Sequence, residues 1–214
     1  MNVNDATAPE PTGDRLEMIF DRQRELSKKY SEIEGKAGIG RGILPATFHI
    51  DDPKCQYFLK DLAWRVTEEL AEAIESMADP VHCKEEVADA WHFLVELVIE
   101  IGLGPADVVD DNLGKDRLDI IIPGKNTGLD SETVVMFSAW KVVETLGLAM
   151  NCLKNKPWKQ SHVSTDVDKF EDLVVQSVGR LGLLSWTVGM SADAVFELYF
   201  KKSEVNRFRQ RSEY

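Results

Sequence analysis

The chain has 214 residues, enough for one sizeable core. It is 43% hydrophobic and 29% charged, the balance of a globular chain, and its formal net charge is −12. That charge argues against a nucleic-acid partner, which calls for a basic face.

The surplus is local. Residues 61–120 hold 16 acidic and 4 basic residues, and the remainder holds 21 of each. Like charges repel in a compact state, so this stretch needs a partner of opposite sign. The three cysteines, Cys55, Cys83 and Cys152, form no C-x-x-C pair, which fits a reducing, cytoplasmic compartment. No uninterrupted apolar run approaches the roughly 20 residues of a membrane span, so no membrane partner is expected. Residues 1–13, with Pro9, Pro11 and Gly13, read as a disordered lead-in without signal-peptide features.

Helical signals dominate the rest. Asp14 is positioned as an N-cap for a helix reaching about Tyr30. A glycine-rich loop follows, from Gly35 to Pro53. Leu59, Leu62, Ala63, Val66, Leu70, Ala73, Ile74 and Met77 recur at helical spacing and predict a helix over 54–78. Asp79-Pro80 breaks it, and a second stripe from Val87 to Ile101 predicts a helix over 82–101. Gly102 stops that helix, and Pro105 opens a short one. Residues 115–130 read as a linker and 154–165 as a loop. Further helices are predicted over 131–153, 166–187 and 191–206. Trp64, Trp91 and Trp140 are expected in the core.

The chain repeats itself. WRVTEELAEAIES, from Trp64, lies on WKVVETLGLAMNC, from Trp140, and each is followed by a second helix with a glycine stop. The expected architecture is one all-α domain over 14–214, a bundle of two tandem helical hairpins. The first, about 54–114, keeps Glu69, Glu72, Glu86 and Asp89. The second, about 131–206, is degenerate: Thr145, Leu148, Leu173 and Gln176 stand at those positions, mostly as residues suited to a core.

Glu69 and Glu72 are one turn apart on one helix, and Glu86 and Asp89 on the next. Antiparallel packing would set the pairs face to face at the edge of the apolar stripes. Two carboxylates about 5 Å apart repel by roughly 3 kcal/mol at an effective dielectric near 20. Four such groups call for cations, and oxygen-only donors favour Mg²⁺ or Mn²⁺ over zinc. Glu68, Glu75 and Glu85 read as a solvated face. A di-iron site needs two Glu-x-x-His elements, whereas only Asp89-x-x-His92 approaches that pattern.

EELAE followed by EVAD resembles the E-x-x-E…E-x-x-D signature of the all-α nucleoside triphosphate pyrophosphatases, which include MazG-like proteins and dimeric dUTPases. Asp89-Ala-Trp-His92-Phe93 and the tail YFKKSEVNRFRQRSEY are similar to the dUTPase/dCTPase branch. Lys202, Asn206, Arg209, Gln210 and Tyr214 match its tail pattern, with Ser203 in place of Asn. Gln23 in QRELS resembles the branch's Q-x-x-L-N, with Ser27 for Asn. The branch's Lys-Trp-Trp cluster is missing between the acidic motifs, and Lys156-Pro-Trp-Lys159 stands in the second repeat.

The resemblance implies a homodimer that hydrolyses a deoxynucleoside triphosphate, foremost dUTP and also dCTP, to the monophosphate and pyrophosphate. It implies Mg²⁺ at Glu69, Glu72, Glu86 and Asp89, with Glu69 or Glu72 taking the proton. It implies phosphate contacts from Lys202, Arg209 and Asn206, and nucleoside contacts from Gln23 and His92. Trp158, in a polar loop, is the candidate for stacking on the base. Rival readings are a related enzyme acting on dGTP or a damaged nucleotide, and a non-enzymatic helical interaction protein.

Overall fold

Aspartate-proline pairs set the helix starts. Asp52 accepts from the Lys54 and Cys55 amides at 2.7 and 3.3 Å, ahead of Pro53. Asp79 does the same for Val81 and His82, ahead of Pro80. Each carboxylate satisfies amides that lack partners in the first turn, and proline needs none. The computed structural model describes residues 3–36, 49–110, 114–124 and 130–211. Among these are eight α-helices and no strand, so the all-α expectation holds. They are α1 (Arg15–Lys36), α2 (Pro53–Glu75), α3 (Pro80–Glu100), α4 (Pro105–Val108), α5 (Arg117–Ile121), α6 (Glu132–Cys152), α7 (Val167–Thr187) and α8 (Ala192–Arg211).

The main packing is two hairpins, α2 on α3 and α6 on α7. Both end alike. Gly102 has φ 87° and Gly189 has φ 78°, the left-handed region that glycine tolerates best. Leu103 donates to Val98 and Met190 to Ser185 across this turn, while Gly102 donates to Ile99 and Gly189 to Trp186. This is the Schellman pattern. Burial also follows the register that sets Trp64 on Trp140: Val66 and Val142, Leu70 and Leu146, and Ala73 and Ala149 are all buried.

Helix α3 is central, packing against α1, α2, α7 and α8. Trp91 on α3 is fully buried, and its indole N–H donates to Ser185 on α7 at 2.9 Å, tying one hairpin to the other. Helix α1 is anchored through reciprocal caps: Arg15 donates its amide to Asp116, and Arg117 donates its amide to Asp14, each at 2.9 Å. The Arg15 guanidinium also meets Asp116, Asp119 and Asp193. Part of the local acidic surplus is therefore compensated from outside its own stretch.

Several expectations change. Trp64 and Trp140 lie at the surface, 61% and 59% exposed, while Trp91 is core. Each exposed tryptophan sits two residues from buried positions on its helix, about 200° around from them. Leu148 is also exposed, as is its counterpart Glu72. Residues 3–13, expected as a disordered lead-in, carry a 3₁₀ turn (Val3–Asp5) packed on α8, and Ala6 is buried. The expected linker 115–130 contains α5. The glycine-rich loop lies mostly outside the described residues, as does Tyr214.

Helix α6 is long and apolar enough to cross a membrane by length and composition, with mean hydropathy 1.3, although charged residues interrupt its apolar run. Its inner side packs on α7 and α2 through Val135, Val142 and Leu146.

Gly182 on α7 is where α5 leans on the bundle. A Cβ there would meet the Ile121 carbonyl oxygen at 2.7 Å. Gly182→Ala is therefore expected to cost about 1–3 kcal/mol through overpacking. Thermal denaturation checks this, and an unchanged Tm would contradict the close approach.

Candidate active site

The hairpin turn carries the acids to one place. One oxygen each from Glu69 on α2 and from Glu86 and Asp89 on α3 lie within 4.8 Å of one another. Glu86 is buried, and Glu69 and Asp89 are half-buried. Glu72 is exposed and lies outside this group, although its charge is felt at Glu69.

The electrostatics follow. Burial pushes the Glu69 carboxyl up to about 8, helped by the charges on Asp89, Glu86 and Glu72. A hydrogen bond between Glu69 and Glu86 fits this state, because one of two adjacent carboxyls must hold the proton. Burial pushes Asp89 up to about 6, against the pull of Lys202. Lys202 on α8 reaches Asp89 at 2.5 Å, and His82 Nδ1 lies 3.0 Å from Glu86. The expected phosphate contact Lys202 thus sits on the carboxylates.

A pocket of about 250 Å³ opens beside the cluster. Glu69, Asp89 and Arg209 line its charged side, together with Arg65 and Asn206. Gln23, His92 and Glu96 line the other, so the pocket joins the expected metal, phosphate and nucleoside residues. Burial holds His92 down at about 3, so the ring is neutral at pH 7. Its Nδ1 lies 3.1 Å from Gln23 Oε1, and its Nε2 lies 3.2 Å from the Tyr199 carbonyl oxygen. The Tyr199 ring stacks on it with centroids 3.8 Å apart. The Tyr199 hydroxyl donates to Gln23 at 2.6 Å, and the Gln23 amide donates to Glu96 at 3.3 Å.

Sequence reasoning missed Glu96, Tyr199 and Arg65. Glu96 lies one turn beyond His92 on the face that carries Asp89, and that spacing was the available signal. Trp158 is elsewhere. It is 73% exposed and lines a separate groove that shares no lining residue with the pocket.

An all-helical bundle with acids from both arms of a hairpin beside a cationic C-terminal helix defines the class: an all-α nucleoside triphosphate pyrophosphatase. Residues 73–214 match the dUTPase family, and the chain belongs to it. It is a dUTP diphosphatase-like nucleotide pyrophosphohydrolase, and its substrate is a nucleotide. No curated protein and no solved structure gives a significant match. The family match starts after Glu69 and Glu72, so those two positions rest on the motif and geometry of this chain.

Enzymes of this kind generally use a divalent metal, and the donor set fits one: three carboxylates held close, with Glu69 pushed up to about 8 by burial and then by its acidic neighbours. A metal held at these three carboxylates would have to displace the Glu69 proton. At pH 7, Mg²⁺ binding is expected to release about one proton, and its apparent affinity is expected to rise with pH up to about 8. Calorimetry in buffers of different ionisation enthalpy measures the release, and identical heats in all of them would refute it. The stability sign is also fixed. A carboxyl raised on folding stabilises the fold below its ordinary value of 4.5 and loses that contribution as pH rises through about 8. The metal-free protein should thus melt lower at pH 8.5 than at pH 6, and Mg²⁺ should reduce the difference.

Proposed function

We propose that the protein hydrolyses dUTP, and also dCTP, to the monophosphate and pyrophosphate with Mg²⁺, for which Mn²⁺ can substitute. The observation that supports this best is the convergence of Glu69, Glu86 and Asp89 on the pocket that also holds Gln23, His92 and Arg209. Glu69, Glu86 and Asp89 would hold the ion, with Glu72 joining from the adjacent turn. When bound, the ion supplies charge neutralisation and Lewis acidity at the phosphates.

The chain's own groups divide the remaining work. Lys202 and Arg209 stand on α8, opposite the acids, and neutralise charge on the departing pyrophosphate, with Asn206 as a polar contact between them. Glu69 or Glu72 takes the proton from the attacking water. Glu72 is exposed one turn from Glu69, and Glu69 has its proton affinity raised further than Asp89. His92 is not the proton carrier, since burial holds its proton affinity far below that of the carboxyls and its ring nitrogens face the Gln23 and Tyr199 oxygens rather than the acids. With Tyr199 and Glu96 it holds Gln23 toward the nucleoside.

Pyrophosphate release across dUTP, dCTP, dGTP, dATP, dTTP and a damaged dNTP tests the reading. The highest kcat/KM should fall on dUTP, and preference for a purine or damaged nucleotide would replace it with the related-enzyme reading. Glu69→Gln and Asp89→Asn should each lower turnover by on the order of a hundredfold or more. Lys202→Ala should lower kcat/KM by about tenfold or more. Near wild-type rates in either acidic variant would remove that residue from the site. Absence of turnover on all six would remove deoxynucleoside triphosphates as the substrate class.

The second hairpin serves as the degenerate, structural repeat of a single domain, and the active form is a homodimer. Met136, Phe137, Trp140 and Leu148 are exposed along the outer side of α6, a helix whose only charges are Glu132, Lys141 and Glu144. Two copies with net charge −12 each meet at least electrostatic cost through such a face. Trp140→Glu should convert dimer to monomer in sedimentation velocity, and an unchanged dimer would place the interface elsewhere.

A further inference from the structure

The groove around Trp158 is a second built feature, and it shares no lining residue with the pocket beside the carboxylates. It has a volume of about 370 Å³ and is lined by Tyr57, Lys60 and Trp64 of α2 and by Lys156 and Trp158 of the following loop. Three exposed aromatic rings in one concavity are unusual on a surface, where large apolar side chains mark binding sites. The cations are equally local: residues 154–159 hold three lysines and no acid, in a chain of net charge −12. Among the described residues, neither Lys60 nor Lys156 is in an ion pair. Asp61, the acid in the lining, is taken by Arg65 at 3.0 Å.

The groove is also held in shape. Asn155 is buried at the root of the loop and makes four hydrogen bonds. Its amide donates to Gln56 at 2.7 Å, its side-chain nitrogen donates to Asp51 and Val163 at 2.9 and 2.8 Å, and its oxygen accepts from Val163 at 2.8 Å. Gln56 is fully buried and donates to Ile50 and Thr165. Lys60 donates to the Leu153 carbonyl at 2.6 Å, and the Trp64 indole donates to Glu68 at 2.8 Å. Lys156 sits 5.3 Å from the Trp158 ring centroid. A buried polar network fixes a loop whose tip exposes Trp158 beside the half-buried Lys156. Such preorganisation lowers the entropy lost when a ligand binds.

We propose that this groove is a second, metal-independent nucleotide site, in which Tyr57, Trp64 and Trp158 contact a base and Lys60 and Lys156 contact its phosphate. The chemistry is that of aromatic stacking platforms beside cations, which take any base with a phosphate attached. The base contact expected of Trp158 belongs here, apart from the carboxylate pocket. Phosphate is repelled at the carboxylates without metal, whereas the groove supplies its own positive charge. Arg65 lines the pocket, and its ion-pair partner Asp61 lines the groove, so one i,i+4 pair on α2 links the two sites.

The test is tryptophan fluorescence of the full chain titrated with dUMP in EDTA. Saturable quenching is expected, weakened by salt and at least about tenfold weaker for deoxyuridine, which lacks the phosphate. Lys156→Glu and Trp64→Ala should each weaken it by about tenfold or more, with far-UV circular dichroism and Tm unchanged, and Lys156→Arg should retain it. Glu69→Gln should keep the quenching while losing hydrolysis in Mg²⁺, which separates this site from the reaction proposed above. No saturable quenching in EDTA would overturn the proposal, as would quenching that Glu69→Gln abolishes and the groove variants spare. A short oligothymidylate binding tenfold or more tighter than dUMP would overturn it in favour of a strand-binding groove.

Discussion

Three carboxylates held within 4.8 Å of one another set the terms for this fold. At that separation each ionised pair repels by about 3.5 kcal/mol at an effective dielectric near 20. The described structure answers in two ways. Burial beside the other acids raises the proton affinity of Glu69, which hydrogen-bonds Glu86, and Lys202 delivers a cation to Asp89. The second answer has a topological consequence. Lys202 lies near the end of the chain, so the C-terminal helix must return across α3 before the first hairpin is electrostatically complete. The acidic surplus in residues 61–120 is therefore a demand that later sequence meets, along with Arg15 from the earlier sequence.

The second hairpin shows what the same scaffold does without that demand. Both hairpins close with a Schellman turn at a left-handed glycine, and both bury valine, leucine and alanine in the same register. Where the first has Glu69, the second has Thr145, whose hydroxyl simply bonds back to the Lys141 carbonyl at 2.7 Å. Where the first has Asp89, the second has Gln176, whose amide bonds to Asp172 at 2.9 Å on its own helix. Neither side chain calls on another helix. The first hairpin depends on α8 for charge, while the second supplies Ser185 to anchor Trp91 and leaves α6 apolar outward.

Helix existence was legible because the signals are local: apolar residues every three or four positions, Asp-Pro starts and glycine stops. The spacing of Glu69, Glu86 and Asp89 was legible for the same reason. Spacing alone did not separate Glu72 from them, because one turn on a helix can carry a carboxylate from a cleft to solvent. Trp64 and Trp140 misled because apolarity says nothing about which side of a helix meets a neighbour. Glu96 was invisible as a buried acid, since its environment comes from Gln23 on α1 and Tyr199 on α8, far away in sequence. Trp158 was read from its loop alone. Its place is set by Asn155 and Gln56, whose bonds span about a hundred residues of chain.

The pocket beside the acids is divided by protonation state, and burial causes the division. On one side stand Glu69 and Asp89, whose proton affinity burial raises, together with the guanidinium of Arg209. On the other, His92 is held neutral and the Tyr199 hydroxyl is pushed well above its ordinary value, so both stay uncharged over the physiological range. Neutral, hydrogen-bonded groups present a fixed donor and acceptor pattern, and they add no charge to the acidic side. The His92–Tyr199 stack and the bonds to Gln23 make that side rigid. Asp89 and His92 lie one turn apart on α3, so a single helix holds the charged half and the neutral half in fixed register. That register is why the short string from Asp89 to His92 carries more functional information than its length suggests.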